Sequence, residues 1–210
     1  VDGGDTLAEA SLMAGHPIEE ERTSTGLNHR KMLMWFFLGS ECLFFGSLIS
    51  TYLVYRNHSL PNTGPIPPEI WDIPYTSVSA FVLLMSSLTM VLALAAIQRG
   101  DIPGLRVWLA ATGLLGTVFV GGQVYEFTTF VADGASLQRN LFGSSFFTLT
   151  GFHGAHVSVG IMMLFSLFLL TLTGRIRQEH SLVVELVGLY WHFVDVVWIV
   201  IFTVIYLLPY

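Results

Sequence analysis

The sequence has 210 residues, 53% hydrophobic and only 11% charged, with 16 Phe, 5 Trp, 7 Tyr and a mean hydropathy of +0.65. Soluble domains carry roughly 25% charged residues, so this composition excludes an ordinary soluble domain and points to helices packed in lipid. The formal net charge of −6 comes without a basic patch interleaved with aromatics, which leaves nucleic acid unsupported as a partner, and a single cysteine excludes an internal disulfide or a cysteine metal cluster.

Residues 1–31 make a polar N-terminal tail that ends in an acidic run and Arg22, Arg30 and Lys31. It lacks the Arg/Lys-led apolar segment and small-residue cleavage site of a signal peptide, so a mostly irregular surface tail is expected. Five apolar runs follow, at about 32–55, 75–98, 105–127, 141–173 and 183–208. Each supplies the ~20 helical residues needed to cross ~30 Å of hydrocarbon. Residues 32–210 are therefore expected to form one domain, an all-α polytopic bundle of five transmembrane helices. The fourth run is longer than a crossing requires and should tilt or project beyond the bilayer.

The spacers are marked by Pro, Gly and charge. Pro61, Pro65, Pro67, Pro68 and Pro74 predict a stiff extended first spacer. Orientation follows from the basic residues. Arg22, Arg30, Lys31, Arg99, Arg106, Arg175 and Arg177 fall on one side of the alternating crossings, and Arg56 and Arg139 on the other. The positive-inside rule then puts the amino terminus in the cytoplasm and the carboxyl terminus outside.

Ionisable side chains inside a bilayer are costly, and each is a candidate site. They are Glu41, Glu126, His153, His156, His192 and Asp195, with Glu185 nearer an edge. At 1.5 Å per residue, Glu41, His153, His156 and Asp195 fall near one mid-membrane level on three helices. Cys42 lies in the first apolar run and is expected to be a buried inert thiol.

Three readings compete for this set. His153 and His156 share a helix face and, with His192, offer haem or metal ligands. Glu41 and Asp195 are the acids that proton or ion translocation would use, but a secondary transporter shows inverted repeats and broken helices, and none is visible. The third reading is structural: the polar groups pair and bind helices together, as His192 and Asp195 would across three residues. Breaking such a pair costs on the order of 3–5 kcal/mol if it is charged. Gly113, Gly116, Gly121, Gly122, Gly151 and Gly154 agree with close helix packing. Gln123, Glu126 and Glu185 would be interfacial contacts, and Trp191 and Trp198 a stripe packing on a partner or on lipid. No phosphate loop or nucleophile–base pair competes, so no catalytic residue is assigned.

At these same residues the sequence resembles a known family. The run 142–157, with Gly151, His153, Gly154 and His156, is similar to a signature of subunit III of the haem-copper oxidases. So is the run 190–198, with Trp191, His192, Asp195 and Trp198. Ser40-Glu41 followed by apolar and aromatic residues matches a third segment, and Gln123 with Glu126 a looser fourth. The resemblance implies a helical bundle packed on the catalytic subunit I, with a V-shaped cleft that holds phospholipid. Larger members have seven helices. A five-helix chain, as in shorter bacterial members, lacks the first two, so one cleft wall is missing or supplied by a neighbour. Carried over by position, Glu41 takes the place of the family's carbodiimide-reactive, lipid-associated carboxylate. His153, His156, His192 and Asp195 take positions that are not redox-metal ligands. The resemblance further implies no cofactor in this chain, haems and copper in partner subunits, and a bacterial plasma membrane location. Its function would be to support proton uptake and protect the subunit that reduces oxygen to water and pumps protons. The electron donor would be cytochrome c, with quinol the alternative. A stand-alone b-type cytochrome or a proton-coupled transporter remain rivals from other classes.

Overall fold

A computed structural model describes residues 28–56, 73–132 and 141–208. The N-terminal tail before residue 28, most of the Pro-rich spacer, and Asp133, Gly134 and Arg139 lie outside the described residues. Within them the regular elements are all helical: α1 (His29–Tyr55), α2 (Ile73–Gln98), α3 (Ile102–Ala132), α4 (Leu141–Leu172) and α5 (Ser181–Phe202). A single 3₁₀ turn, Gln178–His180, precedes α5, and a π turn, Thr203–Leu207, follows it. All five helices are long and apolar enough to cross a membrane, so the expected five-span, all-α membrane fold is what forms.

Backbone groups have no water to bond in hydrocarbon, so helices satisfy them internally. Side-chain hydroxyls behave likewise. Ser47, Ser50, Ser77, Thr117, Ser158 and Ser166 each donate to a carbonyl three or four residues back, which makes them tolerable in an apolar run. α3 continues to Ala132, beyond its apolar run, and there Thr128 and Thr129 likewise bond back to Tyr125 O. At 31 residues it is almost as long as the 32-residue α4, about 46 and 48 Å at 1.5 Å per residue. Pro74, expected in the spacer, instead sits in the first turn of α2, where its missing N–H costs no helical bond.

The turn from α2 to α3 is built by one glycine. Gly100 has φ +76°, Asp101 N donates to Ala96 O at 2.9 Å, and Gly100 N donates to Ile97 O at 3.0 Å. This is a Schellman cap, which favours glycine at the left-handed position. Asp101 Oδ1 then accepts from Gly104 N at 2.9 Å and caps α3. Gly174, with φ +71°, closes α4 in the same way.

The chain divides into two compact units, Val1–Gly39 and Ser40–Tyr210, with α1 crossing the boundary. In the first, Asn28 Oδ1 caps α1 by accepting from Arg30 N at 2.9 Å. In the second, α2 packs on α3 and α5, and α4 packs on α3 and α5, so these four helices close a ring. Its centre is Trp191, 1% exposed. The indole donates to Ser86 Oγ on α2 at 3.0 Å and lies against Gly116 on α3 and Gly160 on α4. Small residues here admit one large ring instead of backbone-to-backbone contact. Gly121 and Gly151, expected to thin their helices for packing, face open space. The 40–55 part of α1 joins the ring through side chains: Phe44 and Phe45 meet Phe152, His156 and Phe193, and Tyr52 meets Phe142. Cys42 is exposed on α1. The expected buried thiol is therefore corrected.

Candidate functional site

The polar residues of the membrane segments gather into four local arrangements. The first links α1 to α4. Glu41 Oε2 lies 3.3 Å from His156 Nε2, with side chains 18% and 20% exposed. His156 Nδ1 lies 2.7 Å from Phe152 O, and a carbonyl only accepts, so Nδ1 carries a hydrogen. Phe44, Phe45 and Phe152 surround the pair, and Tyr190 Oη donates to His156 O at 3.0 Å. Helix spacing supplies this geometry: Glu41 with Phe44 and Phe45, and Phe152 with His156, each fall on one face.

The second arrangement holds His153, which is fully buried. Its Nε2 donates to Val194 O at 3.2 Å. The ring stacks on Trp198 at 4.9 Å and meets Phe119 edge-on at 6.0 Å. His153 and His156 therefore point to different neighbours, one to α5 and one to α1. The third joins α5 to α2: Ser87 Oγ donates to Asp195 Oδ2 at 2.6 Å, and His192 Nδ1 lies 3.1 Å from the same hydroxyl. His192 and Asp195 are thus brought together, but through Ser87. The fourth lies where α2, α3 and the π turn meet. Thr76 and Tyr206 both donate to Glu126 Oε1, at 2.7 and 3.1 Å. One turn away, Gln123 Nε2 donates to Thr150 O at 2.8 Å. A Cβ on Gly154 would come within 2.7 Å of Gln123 Oε1, so that glycine makes room for the amide.

As a haem or metal site the three histidines fit poorly. Each turns at least one ring nitrogen to a group of this chain, and among the described residues no three His, Cys, Asp or Glu side chains converge to hold a metal ion.

Comparison with known proteins decides the family. Residues 4–210 match the family model described as cytochrome c oxidase subunit III. The chain belongs to that family. Cytochrome c oxidase subunit 3 of Bacillus sp. strain PS3 is 36% identical over 203 residues, covering 96% of this chain and 97% of the relative. Quinol oxidase subunit 3 of Bacillus spizizenii is 38% identical over 174 residues, covering 83% of this chain and 84% of the relative. Cytochrome bo(3) ubiquinol oxidase subunit 3 of Pseudomonas aeruginosa is 37% identical over 174 residues, covering 83% and 82%. The chain is therefore a multi-pass membrane subunit III of a haem-copper oxidase, part of a multi-subunit complex, and its relatives carry both donor names.

Within this subunit III several sequence expectations change. Gln123 and Glu126 are 7% and 8% exposed and bind helices of their own bundle, so they are not contacts at its surface. Trp191 and Trp198, at 1% and 2% exposed, pack inside the chain and not on a partner or lipid. Their seven-residue spacing placed them on one stripe, but which stripe faces inward is set by Gly116 and Gly160 on other helices. Glu185 is half-exposed, near one end of α5. Sequence reasoning missed Thr76, Ser86, Ser87, Tyr190 and Tyr206. The adjacent Ser86-Ser87 pair inside a long apolar run was the one signal available for two of them.

Proposed function

We propose that this chain is the non-catalytic, accessory subunit III of a proton-pumping cytochrome c oxidase in a bacterial plasma membrane. It packs on the catalytic haem-copper subunit I, holds phospholipid, and carries its amino terminus in the cytoplasm and its carboxyl terminus outside. The haems and copper reside in partner subunits. The observation that carries the accessory reading is the use made of the intramembrane polar groups. Glu41 with His156, Gln123 with Thr150, Glu126 with Thr76 and Tyr206, His153 with Val194, and Ser87 with Asp195 and His192 each join two helices of this chain. Polar groups spent on stapling helices make a rigid flank for a neighbour. Apolar side chains turned outward, such as Leu43, Leu114, Val118 and Val196, suit lipid tails and partner helices.

Glu41 is the residue we assign to proton and lipid contact. It lies 3.3 Å from His156, the two side chains being 18% and 20% exposed, and a carboxylate beside an imidazole at that position would serve proton uptake by the neighbouring subunit. Cytochrome c as donor is favoured by the Bacillus sp. strain PS3 relative, which matches 96% of the chain. Quinol is the second reading, favoured by the 38% identity to the Bacillus spizizenii protein.

The test is purification of the tagged chain from its native membrane in mild detergent, with a reduced-minus-oxidised spectrum, identification of co-purifying subunits, and oxygen uptake driven by reduced cytochrome c or by quinol. Haem signals that travel with a large partner and vanish from the separated chain, with uptake from cytochrome c, are the expected result. Haem retained on the separated chain overturns the accessory reading, and uptake from quinol alone overturns the donor.

A further inference from the structure

Hydroxyls inside the helices mostly return to their own backbone, as those of Ser47, Ser50, Ser77, Ser86, Thr117 and Ser158 do. Ser87 does not. It reaches from α2 to α5 and touches two titratable side chains at once, Asp195 Oδ2 at 2.6 Å and His192 Nδ1 at 3.1 Å. Asp195 is 5% exposed, whereas His192 is half-buried. The order is an outer imidazole, a hydroxyl, and an inner carboxylate. The Ser87 hydroxyl donates to Asp195 Oδ2, so its hydrogen lies toward Asp195. Its oxygen is then free to accept from His192 Nδ1–H.

We propose that Ser87 is the central link of a proton-binding relay between His192 and Asp195, a site that takes up one proton at the imidazole and stores it on the carboxyl. In the resting state His192 is neutral with hydrogen on Nδ1, and Asp195 is a carboxylate. A proton from water bonds to Nε2. The Nδ1–H bond breaks as its hydrogen bonds to Ser87 Oγ, the original Ser87 O–H bond breaks, and that hydrogen bonds to Asp195 Oδ2. The imidazole ends neutral with hydrogen on Nε2, the serine ends as a hydroxyl, and the acid ends uncharged. One proton has entered, the carboxylate charge has been neutralised, and no charged group need remain in the apolar interior.

The neighbours leave this relay as a separate unit. The helices with most contact to α5 are α2 and α4, and α3 and the 40–55 part of α1 also reach it through Gly116 and Phe119 and through Phe45. Along their described lengths α2 and α4 carry Tyr75, His153 and His156 as titratable or charged groups, α3 carries Arg106, Tyr125 and Glu126, and the 40–55 part of α1 carries Glu41, Cys42, Tyr52 and Tyr55. Tyr75 Oη lies on Gly122 O, His153 is turned to Val194 O, and His156 is paired with Glu41. On α5 itself, Tyr190 is bonded to His156 O and Glu185 lies seven residues before His192. The relay goes beyond the accessory reading above and holds for either electron donor.

The experiment uses the intact oxidase containing this chain, in lipid nanodiscs, followed by infrared spectroscopy through a pH titration. The protonated-carboxyl stretch of Asp195 is identified by its loss in Asp195→Asn. The ring mode that distinguishes Nδ1–H from Nε2–H is assigned to His192 by its loss in His192→Gln. The expected result is a carboxyl band and a tautomer change with one shared midpoint. Ser87→Thr, which keeps the hydroxyl, should preserve that coupling, and Ser87→Ala should abolish it. Separate midpoints in the unaltered protein, no carboxyl band at any pH, or unchanged coupling in Ser87→Ala would each overturn the proposal. If Ser87→Ala does not assemble, the shared or separate midpoint in the unaltered protein and in Ser87→Thr decides.

Discussion

The centre of the four-helix ring can be probed by adding a single methyl group. A Cβ at position 160 would stand 2.8 Å from Trp191 Cε3 and Cζ3, and one at position 116 would stand 2.5 Å from Trp191 Cη2. Carbon atoms attract best at about 3.5–4.0 Å, so the ring would have to withdraw by roughly 0.7 Å from α4 or roughly 1 Å from α3. It has no room for either. The opposite glycine already receives the other side of the indole, and the N–H is tied to Ser86 Oγ at 3.0 Å. Overpacking a buried site costs about 1–3 kcal/mol, so Gly160→Ala should lie near ~2 kcal/mol, and Gly116→Ala somewhat higher. At about 1.4 kcal/mol per factor of ten, that is roughly a 30-fold shift for Gly160→Ala. The check is a double-mutant cycle with Trp191→Phe, read as the thermal stability of the purified oxidase and the amount assembled in the membrane. The smaller ring should recover most of the Gly160→Ala loss, which is the non-additivity expected of touching residues. Purely additive losses, or a Gly160→Ala protein as stable as the original, would refute this account of the core.

Further outcomes follow from the polar staples. Glu126→Gln keeps a carbonyl oxygen for Thr76 and Tyr206 and should lower the melting temperature less than Glu126→Leu, which removes the buried acceptor that both hydroxyls share and should cost about 1–3 kcal/mol; differential scanning fluorimetry of the oxidase in detergent measures the gap. Gln123→Leu removes the bond to Thr150 O and should cost about 0.6 kcal/mol, the average for an interhelical bond in a membrane bundle, with assembly near normal on a native gel. Asp195→Ala leaves Ser87 without its acceptor and should reduce the amount of assembled complex, whereas Asp195→Asn should retain more of it. Equal amounts of complex in the two variants would count against the Ser87 bond. Glu41→Gln should slow proton uptake in reconstituted vesicles; an unaltered rate would remove Glu41 from that role.

The linear chain itself determined that there would be five membrane-spanning helices among the described residues and roughly where they lie, because a bilayer accepts only long apolar helical segments and marks their ends with Pro, Gly and charge. Gly100 and Gly174 stand where the spacers were expected, and a left-handed cap at these points is a local matter. The candidate site was half legible for a similar reason. Glu41, His156, His192 and Asp195 stand out because ionisable groups are rare in apolar runs, so their importance can be read without knowing their partners. The partners are another matter. Ser87, Thr76 and Tyr206 look like ordinary helix residues, and only the packing of α2 on α5, and of α2, α3 and the π turn together, turns their hydroxyls toward Asp195 and Glu126. The same holds for Trp191, whose inward position depends on Gly116 and Gly160 at distant points in the chain, and for Cys42, which faces outward although its surroundings in sequence are apolar. Hydropathy places a residue in the membrane. Which side of the helix meets protein and which meets lipid is decided by contacts between helices, and these become fixed only when the bundle closes.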